Sequence, residues 1–331
     1  MMANDAFGFQ IVDQYYHQYY IEGEWQSPEF KSSSKINIAM SATSLHYGQQ
    51  VFEGMKAFRR KDGQIQLFRP LENAKRFRMS CRRMMMPEIS DDQFMYAVTE
   101  TVKRNAKFLP EYDLLKSLYI RPFMIGIGHN LGLRPAPAYF FGVFVAPVGM
   151  YLKGDSAGKF LIVDDDRAAP NGTGQFKVGG NYGGAIKIQH DARNLGFEDV
   201  LFLDPATHTY LDEFGGANIF GIKENTYVTP FSSSILKSIT NDTLKILAKD
   251  VFGLDVMETK IPLTDIETFD EIGACGTAAS VTPIGSLTYQ DKTYHISNEI
   301  GPITKKLKQL LLDIQYGNIK DDYGFQVYVT L

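Results

Sequence analysis

Phe176-Lys177-Val178-Gly179-Gly180-Asn181-Tyr182-Gly183 is the stretch on which the fold turns. A lysine between two apolar residues, followed at once by two glycines, is an unusual setting. The glycines let the backbone turn tightly and come close to a ligand. Just upstream, residues 160–163 predict a strand, the glycine-rich segment 172–180 a turn, and residues 182–194 a helix ended by Gly196. Further along, strands are expected near 199–203, 208–213, 217–222 and 225–229, then a helix from Thr240 to Phe252 closed by Gly253, and a last helix over roughly 300–314. On the N-terminal side, Asp62-Gly63 between apolar runs predicts a hairpin of strands near 55–60 and 65–68. Pro70 opens a helix to about Met86, and Ser90 with Gln93 has the form of a capping box. Phe94, Ala97, Val98, Thr101 and Val102 fall on one helical face. Strands near 117–125 and 139–146 follow.

The apolar periodicity lapses at residues 149–158, which contain three glycines. The expected organisation is therefore mixed α/β: a small N-terminal domain over 1–148, an interdomain loop over 149–158, and a large C-terminal domain over 159–331 that carries Lys177. The 331 residues suffice for two such domains with cores of their own. A net charge of −4 argues against a nucleic-acid protein or a polybasic membrane anchor. No apolar run approaches a membrane span, and residues 1–13 lack the form of a signal peptide, so a cytoplasmic protein is expected. Two cysteines make neither a disulfide framework nor a thiolate zinc site. The six histidines show no metal-ligand spacing, and no metal is expected.

An amine in an apolar pocket is favoured in its neutral form, which attacks carbonyls. On that ground Lys177 is a candidate for covalent chemistry; the ordinary alternative is a surface lysine at a strand end. A pyridoxal-phosphate (PLP) enzyme also needs a carboxylate for the pyridine nitrogen and a cup for the phosphate. Strand alternation puts Glu213 on the face of Leu211, so it is a candidate for the first; an exposed strand glutamate is the alternative. Ile239 and Thr240, where a helix begins, and the small-residue run Gly276-Thr277-Ala278-Ala279-Ser280 are candidates for the second. Their alternatives are an ordinary N-cap and a tightly packed turn. Arg76 could add a guanidinium or be a solvated helix charge.

At this point the residues resemble a family. His46-Tyr47-Gly48-Gln49-Gln50-Val51-Phe52-Glu53-Gly54-Met55-Lys56-Ala57-Phe58, then Leu67-Phe68-Arg69-Pro70, Tyr119-Ile120-Arg121-Pro122 and residues 176–183 are, in this order, similar to the signatures of branched-chain amino-acid aminotransferases. The resemblance runs from about residue 20 to about 320. It implies the two-domain fold-type IV class of PLP enzymes, usually a homodimer, acting on leucine, isoleucine and valine, on glutamate, and on their 2-oxo acids.

It implies that Lys177 is the Schiff-base lysine, that Tyr182 bonds the ring O3′ and that Glu213 meets the pyridine nitrogen. Arg76, Ile239, Thr240 and Thr277 correspond to the phosphate ligands. Tyr47, with the amides of Thr277 and Ala278, corresponds to the α-carboxylate site. Phe52, Tyr119 and Tyr182 correspond to walls of the side-chain pocket, and Arg121 to an arginine that accommodates the distal carboxylate of glutamate. The 149–158 segment corresponds to a loop that covers the site.

The chain departs from the family at Ser238 and Asn241, where glycine and arginine are usual, and at Gly216, where threonine is frequent. Ala279 and Thr282 stand where a C-x-x-C redox pair occurs in some relatives, so no thiol switch of that kind is expected. Rival readings are a D-amino-acid aminotransferase, an aminodeoxychorismate lyase, a PLP-binding protein without turnover, and an unrelated phosphate-binding enzyme.

Overall fold

The structure, a computed structural model, describes residues 8–113, 115–149 and 157–331. Chain contacts divide them into two units. One holds the described residues up to Gly149, with Phe176–Gly180 and Asp313–Leu331. The other holds the described residues from there to Gln175, and Asn181–Leu312.

The first unit is built on a nine-stranded antiparallel sheet. Its order is Gln326–Val329, Ile65–Phe68, Met55–Arg59, Ser117–Gly126, Ala138–Val148, Tyr15–Ile21, Glu24–Trp25. Glu29–Lys31 adds to the Tyr15–Ile21 strand and Gln50–Phe52 to the Ser117–Gly126 strand. The expected Asp62-Gly63 hairpin forms, with Arg59 opposite Ile65 and Gly63 at φ +82°. Helix Pro70–Arg83 stops short of Met86, because Met85 turns left-handed and Pro87 follows. Ser90 caps helix Asp91–Arg104 by accepting from the Gln93 amide at 3.1 Å. The capping box is not completed: the Gln93 side chain donates to Gln18 instead. Phe94, Ala97, Val98, Thr101 and Val102 are buried, and Phe77 meets both Phe94 and Phe141 in the core.

The second unit is a nine-stranded mixed sheet. Its order is Leu211–Phe214, Asp199–Leu203, Gly158–Val163, Ser280–Tyr289, Glu271–Gly276, Asn218–Lys223, Thr226–Pro230, Asp255–Thr259. Lys292–His295 pairs with Ser280–Tyr289. Leu211–Phe214 also pairs with Asn218–Lys223, so six of these strands close on themselves. Phe160 and Phe214 meet inside at 5.0 Å, and Phe220 stacks on Tyr227 at 4.9 Å. Helix Ile239–Asp250 ends as expected near Gly253, whose φ of +64° suits glycine.

The division differs from one cut after residue 148. Strand Gln326–Val329 pairs with Ile65–Phe68, and Gln66 donates to the carbonyls of Ile314 and Gln315, so the C-terminal end belongs to the first unit. Lys177 belongs there too, rather than to the C-terminal domain. Val178 bridges to Val51, and the Lys177 carbonyl accepts from the Phe52 amide at 3.1 Å. Of the expected 149–158 loop, residues 150–156 lie outside the described residues, and Gly158 already begins a strand.

Candidate active site

In the first unit, Lys177 is fixed through its backbone. Its amide donates to Ser80 Oγ at 3.0 Å on helix Pro70–Arg83, and its carbonyl is held by Phe52. Gly179 permits this approach, since a Cβ there would collide with the Gln50 side chain. The Lys177 Nζ lies 4.8 Å from the centroid of the Phe52 ring. The Arg121 guanidinium stands 4.7 Å from the same ring and donates to the Tyr119 hydroxyl at 2.8 Å. Both contacts place a cation over an aromatic ring, where the quadrupole attracts it. Gly54 is required beside them, because a Cβ would strike the Tyr119 hydroxyl. The structure thus gathers Lys177, Phe52, Tyr119 and Arg121.

Arg76 is held by a residue that sequence reasoning did not single out. Its Nε and Nη2 donate to the two oxygens of Glu53 at 2.7 and 2.8 Å, and Asn73 adds a donor at 2.8 Å. Glu53 is fully buried. Burial pushes its carboxyl up, but the charge and hydrogen bonds of Arg76, the charge of Lys177 and the Asn73 amide together hold it below the usual carboxylate range. Tyr47 is exposed, with its hydroxyl on the Leu131 carbonyl at 2.6 Å.

In the second unit, Glu213 is buried, and its Oε1 accepts from Arg167 Nη2 at 2.7 Å and from the Leu236 amide at 2.9 Å. Its Oε2 accepts from Asn218 at 2.9 Å, and the two residues are register partners across the hairpin. Ile239 and Thr240 open the Ile239–Asp250 helix, whose cap Ser238 accepts from the Asn241 amide at 3.2 Å. Thr277 and Ala278 sit half-buried in the turn between strands Glu271–Gly276 and Ser280–Tyr289. Tyr182 lies half-buried in the short helical turn Gly180–Gly183. A cavity of about 330 Å³ in this unit is lined by Asp212, Ser234 and Phe231, and by none of the expected site residues.

Arg167 and Asn218, and the part Asn241 plays beside them, were not foreseen. Asn218 was within reach of the sequence, since a tight 211–214/218–223 hairpin puts it opposite Glu213. Arg167 precedes the glycine-rich turn with no local signal. Cys81 and Cys275 are both buried, and burial pushes both thiols up, which leaves them unreactive. Among the described residues no three His, Cys, Asp or Glu side chains are grouped to hold a metal, and no helix is long and apolar enough to cross a membrane.

The amino-transferase class IV family model matches residues 50–287. A branched-chain-amino-acid aminotransferase of Helicobacter pylori is 44% identical over 98% of this chain and 97% of its own length. One from Haemophilus influenzae is 42% identical over 98% of each. Among solved structures, the Escherichia coli branched-chain amino acid aminotransferase superposes with a TM-score of 0.79 at 27% identity, covering 96% of this chain and all of that one. The T.th. branched-chain amino acid aminotransferase, solved with pyridoxamine 5′-phosphate, gives 0.79 at 26% identity, covering 95% of this chain and 98% of that one. The chain belongs to the class IV aminotransferases. Within that class it is a member of the branched-chain-amino-acid aminotransferases.

Proposed function

We propose that the chain moves the amino group of L-leucine, L-isoleucine or L-valine to 2-oxoglutarate with PLP as carrier, and that Lys177 is the residue bonded to it. The observation that carries this reading is the setting of Lys177: a backbone held on both sides, with its amine and Arg121 over one aromatic ring.

The residues present fit a phosphorylated pyridine. Glu213 is a buried carboxylate held by Arg167, Asn218 and the Leu236 amide, a group that would suit a protonated ring nitrogen. Thr240 and Ile239, at the start of a twelve-residue helix, and the Thr277 turn suit a phosphate, with Arg76 adding a guanidinium. Tyr182 would donate to the ring hydroxyl. When bound, PLP supplies an electron sink for the carbanion at the substrate Cα. The chain does the rest. The Lys177 amine takes the Cα proton, and Glu213 keeps a proton on the ring nitrogen. The amides of Thr277 and Ala278 would hold the α-carboxylate, joined by Tyr47 once its hydroxyl leaves the Leu131 carbonyl. Phe52, Tyr119 and Tyr182 wall the side-chain pocket. Arg121, packed on Phe52, gives an apolar wall a cation for the distal carboxylate of glutamate. Small molecules are its substrates, it works in the cytoplasm, and it assembles as a homodimer.

With 2-oxoglutarate present, the purified enzyme is expected to form the 2-oxo acid of L-leucine and none from D-alanine; the reverse result assigns it to D-amino acids. Lys177→Ala should abolish turnover with an unchanged circular-dichroism spectrum, and turnover at the wild-type rate would remove the lysine from its role.

A further inference from the structure

Asn241 lies on the first turn of the Ile239–Asp250 helix and is only 7% exposed. All its polar atoms are used. Its Nδ2 donates to Thr229 Oγ1 at 2.9 Å and to Asn218 Oδ1 at 3.3 Å, and its Oδ1 accepts from the Tyr227 hydroxyl at 2.8 Å. Asn218 in turn donates from Nδ2 to Glu213 Oε2 at 2.9 Å and to the Leu236 carbonyl at 3.1 Å.

These bonds have a direction. A carboxamide can be turned end for end, and only its partners decide which end faces where. The Thr229 hydroxyl spends its one proton on the Ile219 carbonyl at 2.8 Å, so toward Asn241 it can only accept. That turns the NH2 of Asn241 toward Thr229 and Asn218. The carbonyl end of Asn218 then faces Asn241, and its NH2 faces Glu213. Every step is a buried bond, and a reversed amide would set like against like: carbonyl against the Thr229 oxygen for Asn241, or NH2 against NH2 and carbonyl against carboxylate for Asn218.

We infer that Asn241 is a positioning residue for Glu213, acting through Asn218 along the relay Thr229–Asn241–Asn218–Glu213. The inference rests on the reading above, in which Glu213 meets the ring nitrogen. It adds that one side chain ties the helix whose first turn meets the phosphate to the carboxylate at the other end of the same cofactor.

The test uses PLP-loaded enzyme and variants Asn241→Leu, Asn218→Leu and the double variant. Readouts are kcat and KM for L-leucine and the pH midpoint of the visible cofactor band. Asn241→Leu should lower kcat by up to roughly tenfold to a hundredfold, the range for losing the aim of the one Asn218 hydrogen bond to the charged Glu213, with KM little changed and the midpoint displaced. The double variant should lose no more than Asn218→Leu alone, because both act on one path. Losses that multiply, or an unmoved kcat and midpoint in Asn241→Leu, overturn the inference. Should Asn241→Leu fail to fold, Thr229→Val carries the same test from the start of the relay, and Thr229→Ser should behave as wild type. Glu213→Gln separates the two levels: if it is as active as wild type, the reading of Glu213 fails and this inference with it. If it is impaired while the relay variants are not, only the relay is wrong.

Discussion

Each unit holds a buried carboxylate–arginine pair, and the two are built differently. Glu53 and Arg76 meet fork to fork, Nε to Oε1 and Nη2 to Oε2. Glu213 meets Arg167 through Nη2, and that same nitrogen also donates to the carbonyls of Gly174 and Ser234. Arg167 Nε, buried, has no hydrogen-bond partner among the described residues. A bidentate pair fixes its own geometry. A pair joined at one nitrogen does not, and the Leu236 amide and Asn218, both neutral, also help to aim Glu213. The first pair anchors a helix to a strand turn. The second presents a carboxylate.

If that contrast holds, the largest effect belongs to Glu213→Gln, which keeps shape and removes charge. Its kcat should fall by about a hundredfold or more, as for loss of an acid–base or charge-stabilising group, in steady-state assays with L-leucine. A kcat within error of wild type would erase the distinction. Next comes stability. Glu53→Gln breaks the fork and should cost about 3–5 kcal/mol in urea unfolding, the usual result of stranding a buried partner. Glu213→Gln should cost less, because Arg167 keeps the two carbonyl oxygens; the opposite order would contradict the comparison.

The pH dependence sharpens it further. Glu53 has a folded pKa below its unfolded value, so its stabilisation is present above about pH 4.5 and is lost as pH falls through the folded pKa. The gap between wild type and Glu53→Gln should therefore narrow in acid unfolding series as pH falls below the unfolded value and through the folded pKa.

The smallest effect concerns Asp199, a buried carboxylate whose hydrogen-bond donors include the Gln189 side chain and the Val200 amide. Burial pushes its pKa up to about 6, against the opposing hydrogen bonds and the charge of Arg193. The sign is the reverse of Glu53: its stabilisation is present below the unfolded value of about 3.8 and lost as pH rises through about 6. Asp199→Asn should remove that slope and gain about 1–2 kcal/mol at pH 7. An unchanged profile between pH 4 and 6 would argue against it.

The elements legible in the sequence were those with local signals. Asp62-Gly63 marks its hairpin, Ser90 its helix start, and Gly253 its helix end. Strands Asp255–Thr259, Glu271–Gly276, Ser280–Tyr289 and Gln326–Val329 were not marked out by alternation or turn pairs. The last is four residues long and is defined by pairing with Ile65–Phe68, far away in the chain. The unit boundaries were hidden for the same reason, since residues 176–180 join the first unit through Val51, Phe52 and Ser80.

Within the site, Lys177, Phe52, Tyr119 and Arg121 could be named in advance, because motif residues close in space are also recognisable in sequence. The residues that aim them could not. In the sequence Asn241 stands only as a departure from the arginine that the resemblance implies; in the fold it lies among Tyr227, Thr229 and Asn218, where a group with both donor and acceptor satisfies all three.

The central claim is that Lys177 works on a PLP cofactor and that the enzyme takes the amino group from L-leucine. Its most direct test is the visible spectrum of the purified, PLP-loaded protein before and after L-leucine is added with no oxo acid present. The account predicts a visible band that is lost as the amino group passes to the cofactor, with one equivalent of 2-oxo acid released per site. A band that L-leucine leaves unchanged, or no band once PLP is supplied, would contradict it.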